Sequence, residues 1–277
     1  MKRSLIALAL VSAFAAPVFA QSADPSKDEV VPAGPHTLTA NVGLFSEYRF
    51  RGIAQTASRP AIQGGFDYSH ASGFYVGNWN SNVDASAGFP DGNIEMDFYG
   101  GYKAAFGDFG VDVGGIYYYY PGSSYVPGGR SQAEAVTNKE IYLGASWKFI
   151  SAKWYYSVDD YFSMRGWDST GTANGNGTKG TQYFDLSGNF DLGSGWGING
   201  HVGYLNMAHA SNADYTDWKL GVTKDINGWV IGAAYIGTDA KGSKNGSNYQ
   251  PYLFTKSSGY QYDSGKDTVV VSVSRTF

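Results

Sequence analysis

Twelve stretches of this chain alternate apolar and polar residues with a period of two. They run near 37–51, 60–69, 73–83, 93–106, 109–120, 138–149, 152–163, 180–192, 195–206, 214–224, 228–238 and 267–277. In the sixth, Ile141, Leu143, Ala145, Trp147 and Phe149 oppose Glu140, Tyr142, Gly144, Ser146 and Lys148. In the eighth, Phe184, Leu186, Phe190 and Leu192 oppose Tyr183, Asp185, Ser187, Asn189 and Asp191. Such alternation is the pattern of a β-strand whose two faces meet different solvents. Soluble strands usually have ~5–6 residues, whereas a tilted strand crossing a bilayer needs ~9–11. These stretches, at about ten to fifteen residues, suit the second case.

The connections alternate as well. Short turns such as His70-Ala71-Ser72, Gly107-Asp108 and Ile226-Asn227 join strands two to three, four to five, six to seven, eight to nine and ten to eleven. The others are mostly longer, above all Pro121 to Thr137, Met164 to Lys179 and Asp239 to Lys266. An even strand count with short turns on one rim and long loops on the other predicts an all-β, antiparallel transmembrane barrel of about twelve strands. A soluble sandwich also alternates, but with shorter strands and no one-sided bias in loop length. Aromatics cluster near strand ends: Tyr48 and Phe50, Phe98 and Phe106, Trp147 and Phe149, Trp196, Trp229. Placed toward lipid, they would form interfacial girdles.

Composition agrees. The 277 residues include 38 glycines and 22 tyrosines, and no cysteine, so disulfide staples, thiolate metal sites and a Cys nucleophile are excluded. A net charge of −4 without a basic stripe argues against a nucleic-acid partner. Met1-Lys2-Arg3, the apolar run from Ser4 to Val18 and Val18-Phe19-Ala20 read as a secretory signal over residues 1–20, cut after Ala20. Residues 21–36 read as a flexible periplasmic tail, and 37–277 as the barrel. The expected location is the outer membrane of a Gram-negative bacterium, with both termini periplasmic.

Parity assigns an inner face. Leu38, Ala40, Val42, Leu44, Tyr48 and Phe50 are expected to face lipid, and Glu47, Arg49 and Arg51 the lumen. The same rule puts Gln63, Asp67, Glu95, Asp97, Lys103, Asp112, Glu140, Lys148, Lys153, Asp159, Asp185, Asn199, His201, Asp217 and Lys219 inside. Asp160 is a misfit, sharing parity with Trp154, Tyr156 and Val158. A bulge or a position at the rim would resolve it. Gly43, Gly65, Gly101, Gly114, Gly144, Gly203 and Gly221 also point inward and would leave room for an open path; alternatively they mark bends.

The segment Ser46-Glu47-Tyr48-Arg49-Phe50-Arg51-Gly52-Ile53-Ala54-Gln55-Thr56 is followed by Pro60-Ala61-Ile62-Gln63-Gly64-Gly65-Phe66-Asp67-Tyr68. With Ile94-Glu95-Met96-Asp97 and Tyr99-Gly100-Gly101-Tyr102, it resembles the TorF family of proteobacterial porin-like barrels. Ala54 stands where the resemblance leads us to expect Ser. The resemblance implies an outer-membrane porin-like barrel and supplies neither a solute nor a site. The chain ends on an amphipathic strand closed by Phe277, which resembles the signal read by the barrel-assembly machinery, although Arg275 stands where an apolar residue is usual.

The function expected is passive diffusion of small hydrophilic solutes through a charged lumen, with outer-membrane lipid and lipopolysaccharide as surroundings. Glu47, Arg49 and Arg51 would form a ladder toward the external mouth, drawing anionic or zwitterionic solutes. Alternatively, carboxylates such as Asp67 or Asp97 hold the two arginines internally. An inward-folded external loop would set selectivity, with Asp239 to Lys266 the first candidate. The alternative function is a non-conducting barrel whose external loops bind a ligand or partner. A surface hydrolase is the third reading, since His70-x-Ser72 and His209-x-Ser211 match a bare His/Ser spacing. Nucleophilic catalysis also needs an orienting group and an oxyanion site, and neither is legible, so no enzyme is expected. No metal motif or cofactor site is legible either: His36, His70, His201 and His209 are scattered.

Overall fold

Asn227-Gly228 is a two-residue turn in which both residues have positive φ, 54° and 83°. That pairing closes a hairpin whose twist matches its strands. Ser194-Gly195 does the same at 53° and 75°. Five tight connections, these two among them, lie on one rim of a computed structural model that describes residues 34–126, 132–240, 249–256 and 258–277. The signal segment 1–20, most of the tail 21–36, residues 127–131 of the loop from Pro121 to Thr137, and 241–248 and 257 of the last loop lie outside the described residues.

The strands are β1 (His36–Phe45), β2 (Ala61–His70), β3 (Phe74–Asn82), β4 (Ile94–Phe106), β5 (Phe109–Tyr119), β6 (Thr137–Trp147), β7 (Ile150–Ser157), β8 (Gln182–Gly193), β9 (Trp196–Asn206), β10 (Tyr215–Ile226), β11 (Trp229–Thr238) and β12 (Thr268–Thr276). Each pairs antiparallel with its chain neighbour, and β1 closes on β12 with Leu44 opposite Val273, giving a closed twelve-stranded barrel. The C-terminal Phe277 is part of that seam: its N–H donates to Ala40 O at 2.8 Å, and Ala40 N–H returns the bond.

Burial is inverted relative to a soluble protein. Leu38, Phe66, Leu143 and Leu220 are 56–71% exposed on the outer wall, whereas Glu95, Asp97, Glu140 and Asp217 are at most 2% exposed inside. Buried carboxylates beneath an uncovered apolar belt are stable only if the surroundings are lipid. Phe106, Trp147, Phe149, Trp196 and Trp229 keep the exposed, rim-side positions expected of a girdle.

Two strands end earlier than their alternation suggests. β1 stops at Phe45, not at residue 51. Ser46 N–H still bonds Val271 O, and the chain then turns into the lumen. Tyr48 and Phe50 therefore do not face lipid. Tyr48 packs on Trp79 with ring centres 5.4 Å apart, and Phe50 packs on Tyr118 at 5.6 Å. β7 stops at Ser157, and Asp160 lies in the following external loop, so the misfit is resolved by the rim rather than by a bulge.

Candidate functional site

The segment from Ser46 to Pro60 is the inward-folded loop. Its core is a minimal hairpin, Arg49–Phe50 against Ile53–Ala54, turning at Arg51 and Gly52 with φ of 48° and 79°. Gly52 is required twice. Its φ is one that L side chains rarely adopt, and a Cβ there would come within 2.7 Å of the Asp217 Cβ. The hairpin thus spans the barrel from β1 to the wall at β10. The described parts of the loop from Asp239 to Lys266, named from sequence as the first candidate to fold inward, also reach into the barrel, with Ser264 buried and Tyr252 packed on Tyr215, and they lie against this segment. Ser264 O accepts from Ala54 N–H at 2.9 Å, and Lys256 Nζ donates to Ala57 O at 3.2 Å.

Arg51, at the hairpin tip, holds Glu140 of β6 with both arms of its guanidinium. Nη1 donates to Oε1 at 3.0 Å and Nη2 to Oε2 at 2.8 Å. Nη1 also donates to the Tyr161 hydroxyl at 3.2 Å. The guanidinium carbon lies 4.2 Å from the Tyr183 ring centre, 4.8 Å from Phe50, 5.1 Å from Tyr155 and 5.9 Å from Tyr161. Tyr118 and Ser157 hydroxyls donate to the same carboxylate at 3.2 and 3.4 Å. Burial of Tyr161, in the external loop after β7, pushes its phenol up to about 12. Arg49 pairs with Glu47 at 3.0 Å and donates to Gly52 O and Ser264 O. Both arginines are held internally by carboxylates, as one of the two sequence readings has it, but by Glu47 and Glu140 and not by Asp67 or Asp97, the examples it names. Asp67 instead accepts from Tyr99 at 2.6 Å.

A second charged layer winds along the wall through the strand register, which aligns Lys103, Asp112, Gly144, Lys153, Asp185, Gly203 and Asp217 on consecutive strands. Lys153 pairs with Asp112 at 2.8 Å. His201 bridges Asp185 at 2.8 Å and lies 3.0 Å from Asp217. Lys103 stands over the Tyr75 ring at 4.4 Å, and Lys219 lies beside His201 on the neighbouring strand.

Two residues expected in the lumen are not there. Lys148 occupies the tight turn between β6 and β7, with φ of 53°, over the Trp147 ring and 3.9 Å from Asp108. Asp159 lies past the end of β7 at the rim, half exposed and 2.9 Å from Lys139. Strand parity stops applying where the strand stops. The residues missed were tyrosines. Tyr118, Tyr155 and Tyr183 have inward parity, and their buried rings occupy the space beside the inward glycines. A Cβ on Gly203 would meet the Tyr183 hydroxyl, and one on Gly101 would lie 2.8 Å from the Tyr75 hydroxyl. These glycines give the tyrosine rings room inside the barrel.

His70 Nδ1 and Ser72 Oγ are 2.6 Å apart on an exposed turn, and His209 Nδ1 contacts Gly177 O. Among the described residues, no group of three or more His, Asp or Glu side chains is placed to hold a metal ion.

Among solved structures, the chain is similar to the NanC porin in its rhombohedral crystal form, at 11% identity over 87% of this chain and 99% of that one, with a TM-score of 0.52. It is also similar to the KdgM porin (9%, 86% and 99%, TM-score 0.48) and to Salmonella typhi OmpF in complex with daunomycin (11%, 87% and 97%, TM-score 0.41). The NanC likeness is one of fold: the closed antiparallel barrel is that of an outer-membrane porin. No curated protein matches. The model of a family described as "Bacterial protein of unknown function (Gcw_chp)" matches residues 29–277, which include all twelve strands, and the chain belongs to that family.

Proposed function

We propose that this protein is an outer-membrane porin-like channel for small hydrophilic solutes, with the segment from Ser46 to Pro60 as its constriction. One observation carries the reading: an external segment is folded into a charged lumen and pinned to the far wall by Arg51 and Glu140. Inward loops of this kind set pore diameter and field in barrel channels. The resemblance to TorF porin-like barrels and the shared porin fold support the same reading. Outer-membrane lipid and lipopolysaccharide surround the apolar belt, and the strand ending at Phe277 serves as the signal to the assembly machinery.

A second reading is a non-conducting barrel that works through its external loops. It is favoured by the packing at the constriction, where Tyr118 and Asp217 have no exposed surface and Arg51 only 8%. Planar-bilayer recording separates the two. Steps from wild type, or from a variant with Phe50–Ile53 replaced by a short Gly-Ser link, support the channel. Silence from both folded proteins refutes it and leaves the loops.

A further inference from the structure

We propose that the wall pocket filled by Arg51 is a recognition site for organic cations of the guanidinium or primary ammonium class, with Arg51 as its built-in occupant. The proposal names a solute class for the channel and rests on that reading only for the route by which a cation arrives.

Apart from Phe50 of the hairpin and Tyr161 of the external loop after β7, the pocket belongs to the barrel wall. Glu140 comes from β6, Tyr155 and Ser157 from β7, Tyr183 from β8 and Tyr118 from β5. Their strands are held by the continuous ladder whether or not the hairpin is seated. The group they hold is a guanidinium, bound by two parallel hydrogen bonds to one carboxylate and flanked by tyrosine faces. That is the geometry by which proteins recognise such cations.

Charge balance points the same way. Glu140 is essentially buried, and Arg51 is its ion-pair partner. Lys153 is placed on Asp112, and His201 lies between Asp185 and Asp217 with Lys219 beside it. Withdrawal of the hairpin would leave an uncompensated acidic, aromatic pocket, which is costly unless another cation enters. The hairpin is also strained where it enters the pocket, because Arg51 is a non-glycine residue at a φ of 48°. A soluble guanidinium satisfies the same pocket without that strain.

The test uses the full mature barrel, folded in detergent and monitored by circular dichroism, with methylguanidinium as probe. Wild type, Arg51→Ala, Arg51→Met and the double variant Arg51→Ala/Glu140→Gln are melted against millimolar probe. Sodium chloride at equal ionic strength and urea at equal concentration serve as controls. A site filled well above its Kd should raise the Tm of both Arg51 variants saturably by about 3 °C. Wild type and the double variant should not shift. Equal shifts in all four proteins, shifts with urea, or no shift in the folded Arg51 variants would overturn the proposal. If the Arg51 variants fold poorly, refolding yield against methylguanidinium is the readout, and a flat yield overturns it equally. No current is involved. A barrel that binds but stays silent in bilayers therefore refutes the channel and not the pocket, and a conducting barrel that shows no binding does the reverse.

Discussion

Gly203 and Tyr183 show how single residues set the state of the lumen. The tyrosine lies over the glycine on the adjacent strand and donates to Asp217 at 3.0 Å. Gly203→Ala places a methyl group against the phenol and should cost about 1–3 kcal/mol, as overpacking does. Gly115→Ala, whose Cβ meets nothing closer than Glu140 O at 3.4 Å, should change stability by about 0.5 kcal/mol or less. Thermal melts of the folded barrels compare the two. Arg51→Ala strands a buried carboxylate and should cost about 3–5 kcal/mol, read by urea titration. Arg51→Lys should lose less, because the charge stays while the two-armed bond and ring stacking are lost.

The elements that depart from simple alternation are the external loops, and each is pinned by particular side chains. Asp160 accepts from Thr178 N–H at 2.8 Å and pairs with Arg165 at 3.1 Å, tying down the small hairpin Arg165–Trp167 with Ala173–Gly177. Charge-assisted hydrogen bonds contribute about 1.5–3 kcal/mol each. Asp160→Ala should therefore raise proteolysis at Arg165 or Lys179 about tenfold or more and leave the barrel melt nearly unchanged. The same loop has a pH dependence. The hydrogen bond from the Lys139 ammonium holds the Asp159 carboxyl below the usual carboxylate range, and the hydroxyl and N–H of Thr170 do the same for Asp168. A carboxylate depressed in the folded state stabilises above its ordinary pKa, and that stabilisation is lost as pH falls through the folded value. Loop proteolysis, scored with an acid-tolerant protease, should stay flat from neutral pH to about 5 and rise below about 4. A rise that began near neutrality would contradict this assignment.

At the scale of the whole molecule, the barrel separates two solvents with a single sheet. Leu143 is 56% exposed on the outward face of β6, and Asn41 points inward from β1. Leu143→Arg should cost about 2–4 kcal/mol and cut assembly into vesicles, whereas Asn41→Arg should assemble normally. Equal assembly of the two would contradict the assignment of lipid and lumen faces.

Strand number, order, pairing and the rim of the short turns were all legible in the chain, because period-two alternation and turn chemistry such as Asn227-Gly228 are local. The interior contents were not. The alternation of Leu44, Tyr48 and Phe50 reads the same whether the rings meet lipid or other rings, so the bend after Phe45 left no mark in the pattern. Arg51 and Glu140 are 89 residues apart, and nothing local selects Glu140 over Asp67 or Asp97. Closing the sheet brings opposite walls within one side chain's reach, and the inward glycines and tyrosines then compete for the same space. Which segment fills the lumen, and which carboxylate its arginine meets, follows from that closure.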